Sequence, residues 1–127
     1  MAAERMSLRA DDPAAISEAR HDLADRLASW HCGNIDDGLL VFSELVTNAV
    51  RHAGGATSIV VVHGDETLRF EVHDRAHAVP ERREAHTGDG GFGLQIVGQL
   101  CEAWGWDQTA TGKMVWSVMK CSSDSEG

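Results

Sequence analysis

The sequence predicts an α+β protein, a two-layer α/β sandwich in which helices cover one face of a mixed, mostly antiparallel sheet. Two observations lead to this class. Helix-like and strand-like periods alternate along the 127 residues in the order β-α-α-β-β-loop-α-β-β. The later strand-like segments come in adjacent pairs joined by short turns, which makes hairpins rather than parallel crossovers. A chain of this length reads as one domain, residues 1–120, with a polar tail over 121–127. Hydrophobic residues make up 43%, enough for a globular core and too many for a disordered segment.

The elements follow in order. Residues 4–9, ERMSLR, form a short strand. DDPAAISEARHDLADRLASW opens a helix, with Asp12 suited to the N-cap and Pro13 to the first helical position. Ile16, Ala19, Leu23, Leu27 and Trp30 recur at helical spacing and mark its buried stripe. HCGN breaks it. A second helix starts near Asp36, an N-cap candidate, and runs to about Ala53. Its apolar side is Leu39, Phe42, Val46, Ala49, Val50 and Ala53. GGA ends it, since glycine readily takes the left-handed conformation that closes a helix. TSIVVVH is a β-rich run and GDET a turn. LRFEVHD then alternates Leu68, Phe70 and Val72 with Arg69, Glu71 and His73, as a half-buried strand does. Residues 75–91 show no period, and a loop that long is usually functional. FGLQIVGQLCEAWG, residues 92–105, reads as a helix, and WDQTATGKMVWSVMK as two strands around ATGK.

Composition excludes several classes of function. The net charge is -9, which disfavours binding to phosphate backbones or to an anionic membrane surface. No apolar run approaches the ~18 residues of a membrane span, and the N-terminus carries no secretory h-region. Cys32, Cys101 and Cys121 are odd in number, widely spaced and without C-x-x-C. That pattern predicts reduced thiols in a cytoplasmic protein, with neither a disulfide framework nor a zinc site. Among the histidines, His73 and His77 straddle a strand end, and His21, His31, His63 and His86 are scattered, so no histidine metal site is expected.

Three features carry chemistry. On the second helix Glu44, Asn48 and His52 recur every four residues and share one side. Spacing alone reads this stripe as a solvated face. Its composition points elsewhere, because Asn and His are poorer helix formers than the Lys, Glu and Arg that water-facing positions favour. A carboxylate can activate a hydroxyl, and a carboxamide oxygen one turn away can hold a hard cation such as Mg²⁺. The second feature is GDGGFGLQ, residues 88–95, with four glycines ahead of a helix. It reads either as a phosphate cradle of backbone N–H groups or as a mobile loop. It lacks G-x-x-x-x-G-K-[ST], and no strand precedes it as a Rossmann turn requires. The third is Asp74 at a strand end, which reads either as a turn cap or as an acceptor for an exocyclic amine such as that of adenine.

Taken in order, ELVTNAVRHA, VHDRAHAVP, GFGLQIVGQLCEAWG and GKMVW resemble the boxes of the Bergerat-type ATP-binding fold, the superfamily of gyrase, MutL and the histidine kinases. Within it the chain looks most like the small stand-alone anti-sigma-factor serine kinases of the RsbW and SpoIIAB kind. The resemblance spans roughly residues 8–119. It implies a sheet with helices on one face, ATP and Mg²⁺ as ligands, and Glu44 as the general base. It implies Asn48 on Mg²⁺, Arg51 or His52 near the phosphates, and Asp74 on the adenine amino group. Gly90, Gly91, Phe92, Gly93 and Leu94 would close the nucleotide pocket. Residues 75–91 would be the lid, with Arg75, Arg82 and Arg83 as phosphate contacts.

The implied function is a protein serine/threonine kinase that binds a sigma factor and phosphorylates a serine of a STAS-type anti-anti-sigma partner. A homodimer is expected from the same resemblance, and no nucleic acid or membrane is. Two departures support an alternative, a non-catalytic partner-switching module with weak or lost ATP binding. The usual D-x-G-x-G of the second box is here Asp74-Arg75-Ala76-His77-Ala78, with Ala76 and Ala78 in place of both glycines, and the expected Thr of the last strand reads as Met114.

Overall fold

The computed structural model describes residues 3–56, 58–75 and 94–121; the side chains of His52 and Ala53 fall outside that description. Five strands and three helices make up the described residues. They are β1 (Glu4–Leu8), α1 (Pro13–Ser29), α2 (Ile35–Ala53), β2 (Ser58–Gly64), β3 (Thr67–Asp74), α3 (Leu94–Leu100), β4 (Ala103–Gln108) and β5 (Lys113–Lys120). The order along the sheet is β1-β2-β3-β5-β4, and every pairing is antiparallel. The expected α+β sandwich is therefore present, and among the described residues every strand pairing in its sheet is antiparallel.

Alternation builds the layers. Ile59 and Val61 on β2, Leu68, Phe70 and Val72 on β3, and Val115 and Met119 on β5 are all buried on the helix side. Against them lie Ala19, Leu23 and Leu27 of α1, and Val41, Phe42, Leu45, Val46 and Ala49 of α2. Each large side chain here contributes roughly 1.5–3 kcal/mol by leaving water. Val41 and Leu45 join the apolar side of α2, whereas Val50 is 48% exposed and lies off it. The face centres on residues 41, 45 and 49, one turn apart, which puts Val50 a hundred degrees round the helix.

Helix ends follow their local chemistry. Asp12 accepts a hydrogen bond from the Ala15 N–H at 2.8 Å, with Pro13 opening α1. The N-cap of α2 is Asn34 instead of Asp36. Its side chain makes no cap hydrogen bond, because Asn34 Nδ2 donates to the Lys120 carbonyl at 3.0 Å. Gly54, at φ 78°, closes α2 in the left-handed region. Between β2 and β3, Asp65 (φ 50°) and Glu66 (φ 64°) form a two-residue turn with both φ positive, the handedness that matches strand twist.

Residues 92–105 correct the sequence reading. Within the described part, the helix ends at Leu100 and a strand begins at Ala103. Trp104 and Trp106 alternate onto the helix side, where they pack on the core. Gly105 lies on the other side under Trp116; a Cβ there would meet Trp116 Cζ2 at 2.8 Å. The helical spacing of the apolar residues competed with this aromatic alternation, and pairing with β5 decided it.

The cysteine expectation is also corrected. Cys32, just after α1, and Cys121, just after β5, form a disulfide across 89 residues, with Cα atoms 4.9 Å apart. Spacing alone gives no hint of this pair, because only the sandwich brings those two ends together. Cys101 is a free thiol.

Candidate functional site

Helix α2 packs on β3 and α3; a Cβ on Gly38, near its start, would lie 3.9 Å from Leu68 Cδ1, near the start of β3, so its C-terminal half runs toward the Asp74 end of that strand. Glu44 and Asn48 lie one turn apart on α2, about 6 Å along its axis at ~1.5 Å per residue. Glu44 is half-buried. Asn48 is 2% exposed, and its Oδ1 has no hydrogen-bond partner among the described residues. At Glu44 and Asn48 the stripe is therefore no solvated face. A buried amide oxygen left unpaired costs about 1–3 kcal/mol, so its presence requires a reason beyond packing. Arg51, one turn further on, is exposed.

Asp74 is the last residue of β3, and the period-two alternation that buries Leu68, Phe70 and Val72 turns its carboxylate inward as well. It is 2% exposed. Lys113 Nζ donates to Asp74 Oδ2 at 2.9 Å, and Lys113 is itself 2% exposed. The two residues are direct cross-strand partners, Asp74 on β3 and Lys113 on β5. Gly112 precedes the lysine. A Cβ at that position would lie 2.6 Å from the Arg75 Cα and closer still to the Asp74 carbonyl, so only glycine lets the chain pass.

Lys113 is the residue that sequence reasoning missed. The expected Thr position was assigned to Met114, but Met114 pairs with His73 and is half-exposed on the opposite face of the sheet. The inward position is Lys113, in step with Val115, Ser117 and Met119. That parity was the available signal: a lysine two residues before an alternating buried series falls on the buried face.

Among the other expected site residues, Leu94 opens α3 and is a core side chain, 4% exposed. Arg75 follows Asp74 and is exposed. The backbone of His52 continues α2, but its side chain lies outside the described residues. Ala76, Gly90, Gly91, Phe92 and Gly93, and Arg82 and Arg83 of the expected lid, also lie outside them.

The site thus combines a half-buried carboxylate, an orphaned amide oxygen and a buried Asp–Lys pair at one end of the sandwich. A model of the histidine kinase-like ATPase domain matches residues 9–119. The chain belongs to that family. No curated protein matches it. The match spans the seven described elements from α1 to β5, short only of Lys120 at the end of β5 and leaving β1 outside, and so covers every residue of the site.

For this ATPase-type domain the described donors fit a hard cation. The Asn48 Oδ1 is a neutral oxygen with an open lone pair, and Glu44 supplies a carboxylate one turn away. No helix among the described residues is long and apolar enough to cross a membrane.

Proposed function

We propose that this histidine kinase-like ATPase domain binds Mg-ATP and acts as a protein serine/threonine kinase of the anti-sigma-factor type. Its acceptor would be a serine on a STAS-type anti-anti-sigma partner, with a sigma factor as the alternative partner. The observation that carries the reading is the orphaned Oδ1 of buried Asn48, one turn from Glu44. A domain with no cation to bind gains nothing from an unpaired amide oxygen at that place.

In this reading each residue has a defined task. Asn48 holds the cation, which when bound neutralises phosphate charge. Glu44 takes the proton from the acceptor hydroxyl. Asp74 accepts from the exocyclic amine of the base. Phosphoryl transfer asks mainly for positioning and charge neutralisation, which suits so small a set of groups. Arg51 lies on the same helix as the phosphate-end contact. The glycine cluster, Gly90 to Gly93, completes the pocket in the family resemblance.

One observation favours a second reading, a non-catalytic partner-switching module. Lys113 already holds Asp74 Oδ2, so a base must share the carboxylate with the ammonium or displace it. If it does neither, the fold serves as a binding surface alone.

The test is calorimetric titration with Mg-ATP, followed by phosphate transfer to a STAS-type protein. The usual control, Asp74→Ala, strands a buried ammonium and confuses unfolding with lost binding. Asp74→Asn with Lys113→Met is the sounder control. Saturable binding that this variant loses, and transfer that Glu44→Gln loses, support the kinase. Absence of binding at millimolar Mg-ATP sinks it and leaves the partner-switching module.

A further inference from the structure

The end of the sheet remote from Asp74 carries a second cluster of chemistry. Cys32, His63 and Cys121 each present a ligand atom there, and the three atoms lie within 4.8 Å of one another. Cys32 is 3% exposed and Cys121 5% exposed. His63 is half-buried at the end of β2, on the same side of the sheet as Ile59 and Val61. Along β3, this end and the Asp74 end are seven residues apart, about 24 Å at ~3.4 Å per residue. The cluster is therefore separate from the nucleotide end.

A disulfide alone accounts for the two cysteines but not for the imidazole beside them. The ring of His63 stacks on Trp30, with centroids 4.8 Å apart and planes 16° from parallel. Trp30 is held in turn through its Nε1, which donates to Glu4 Oε1 at 3.0 Å. The imidazole is thus oriented by its neighbours. The cysteine backbones are fixed as well: Cys32 N–H donates to the Leu27 carbonyl at 3.0 Å, and Cys121 N–H to the Glu66 carbonyl at 2.8 Å. Three soft or borderline donors arrive from three distant stretches of chain, on backbones already tied down.

We propose that Cys32, His63 and Cys121 form a second site, a thiolate–imidazole centre that binds a zinc-class divalent cation when the disulfide is reduced. Two thiolates and one imidazole are a donor set that zinc favours. Tetrahedral geometry at Zn–S of ~2.3 Å needs sulfurs about 3.8 Å apart, so the two sulfurs must separate to that distance once their bond is reduced. The fourth position is left for water or an outside ligand. The steps balance. A thiol reductant gives two electrons and two protons to the Cys32–Cys121 bond and is itself oxidised to a disulfide. Two cysteine thiols then release two protons as they bind one divalent cation, with His63 neutral. Reduction and metal loading become successive states of one site.

The experiment uses the full chain in a Cys101→Ser background, so that no third thiol contributes. After thiol reduction and removal of the reductant, Co²⁺ is added as a spectroscopic stand-in and Zn²⁺ as competitor. The expected result is a thiolate-to-cobalt charge-transfer absorption at one equivalent per chain, bleached by Zn²⁺, with two protons released. His63→Ala keeps both thiols and the fold, and should weaken binding about tenfold or more. Circular dichroism checks that it folds. The proposal is overturned by reduced, titratable thiols that give no such absorption, or by His63→Ala binding as tightly as the parent. A Cys32–Cys121 bond that resists thiol reduction in the folded protein overturns it too, and leaves a structural disulfide only.

Discussion

At the residue scale the decisive contacts are between charges that water does not reach. Lys113 and Asp74 are 3% and 1% exposed in their side chains, so each depends on the other for compensation. Lys113→Ala removes the buried ammonium that Asp74 faces and is expected to cost about 3–5 kcal/mol in urea denaturation. Asp74→Asn with Lys113→Met removes both charges and should recover most of that loss; a double variant as unstable as the single one would refute the pairing. On the opposite face of the sheet, burial raises the pKa of Glu71, but hydrogen bonds from Arg69 at 2.8 Å and from His73, with their charges, outweigh it and hold it below 4.5. A depressed carboxylate stabilises the fold above its unfolded pKa and loses that contribution as pH falls through the folded value. Glu71→Gln should therefore lower the melting temperature at pH 7 and leave it unchanged at about pH 2, and equal effects at both would exclude the ion pair as the cause.

At the element scale, α2 carries a conflict between packing and chemistry. Its inner face is apolar except for Asn48, whose Oδ1 goes unpaired. Asn48→Ala deletes that orphan, so it should leave stability within about 1 kcal/mol of the parent or raise it. It should also abolish cation-dependent nucleotide binding. A strongly destabilised Asn48→Ala would mean that the amide serves the fold instead. The β2–β3 turn shows a second local cost. Glu66 sits at φ 64°, a region that costs an L-residue roughly 1–2 kcal/mol. Glu66→Gly relieves this at some loss of chain stiffness and should stabilise the protein by up to about 1 kcal/mol in chemical denaturation.

At the scale of the whole molecule, the Cys32–Cys121 bond closes a loop of 89 residues around most of the sandwich. The loop-entropy argument gives such a crosslink about 3–5 kcal/mol of stabilisation. Cys32→Ser with Cys121→Ser should therefore lower stability by that order relative to the oxidised protein and match the reduced protein without metal. The two ends of the sandwich divide its chemistry. One end gathers Glu44, Asn48, Asp74 and Lys113, and the other gathers Cys32, His63 and Cys121.

The sequence by itself determined the element order, the inward strand residues Leu68, Phe70 and Val72, the Asp12 cap, and the Glu44–Asn48 spacing. These are local periodicities, readable wherever a neighbour three, four or two residues away sets the pattern. It also brought Asp74 forward as a candidate, by its place at a strand end. Tertiary structure decided the rest. Lys113 meets Asp74 only through the β3–β5 register, which no local period encodes. The strand over Ala103–Gln108 wins over a helix-like pattern because β5 offers it a ladder. Cys32, His63 and Cys121 are 31 and 58 residues apart in the chain, and they converge because the antiparallel sheet returns three separate segments to one end, which pairwise spacing cannot express.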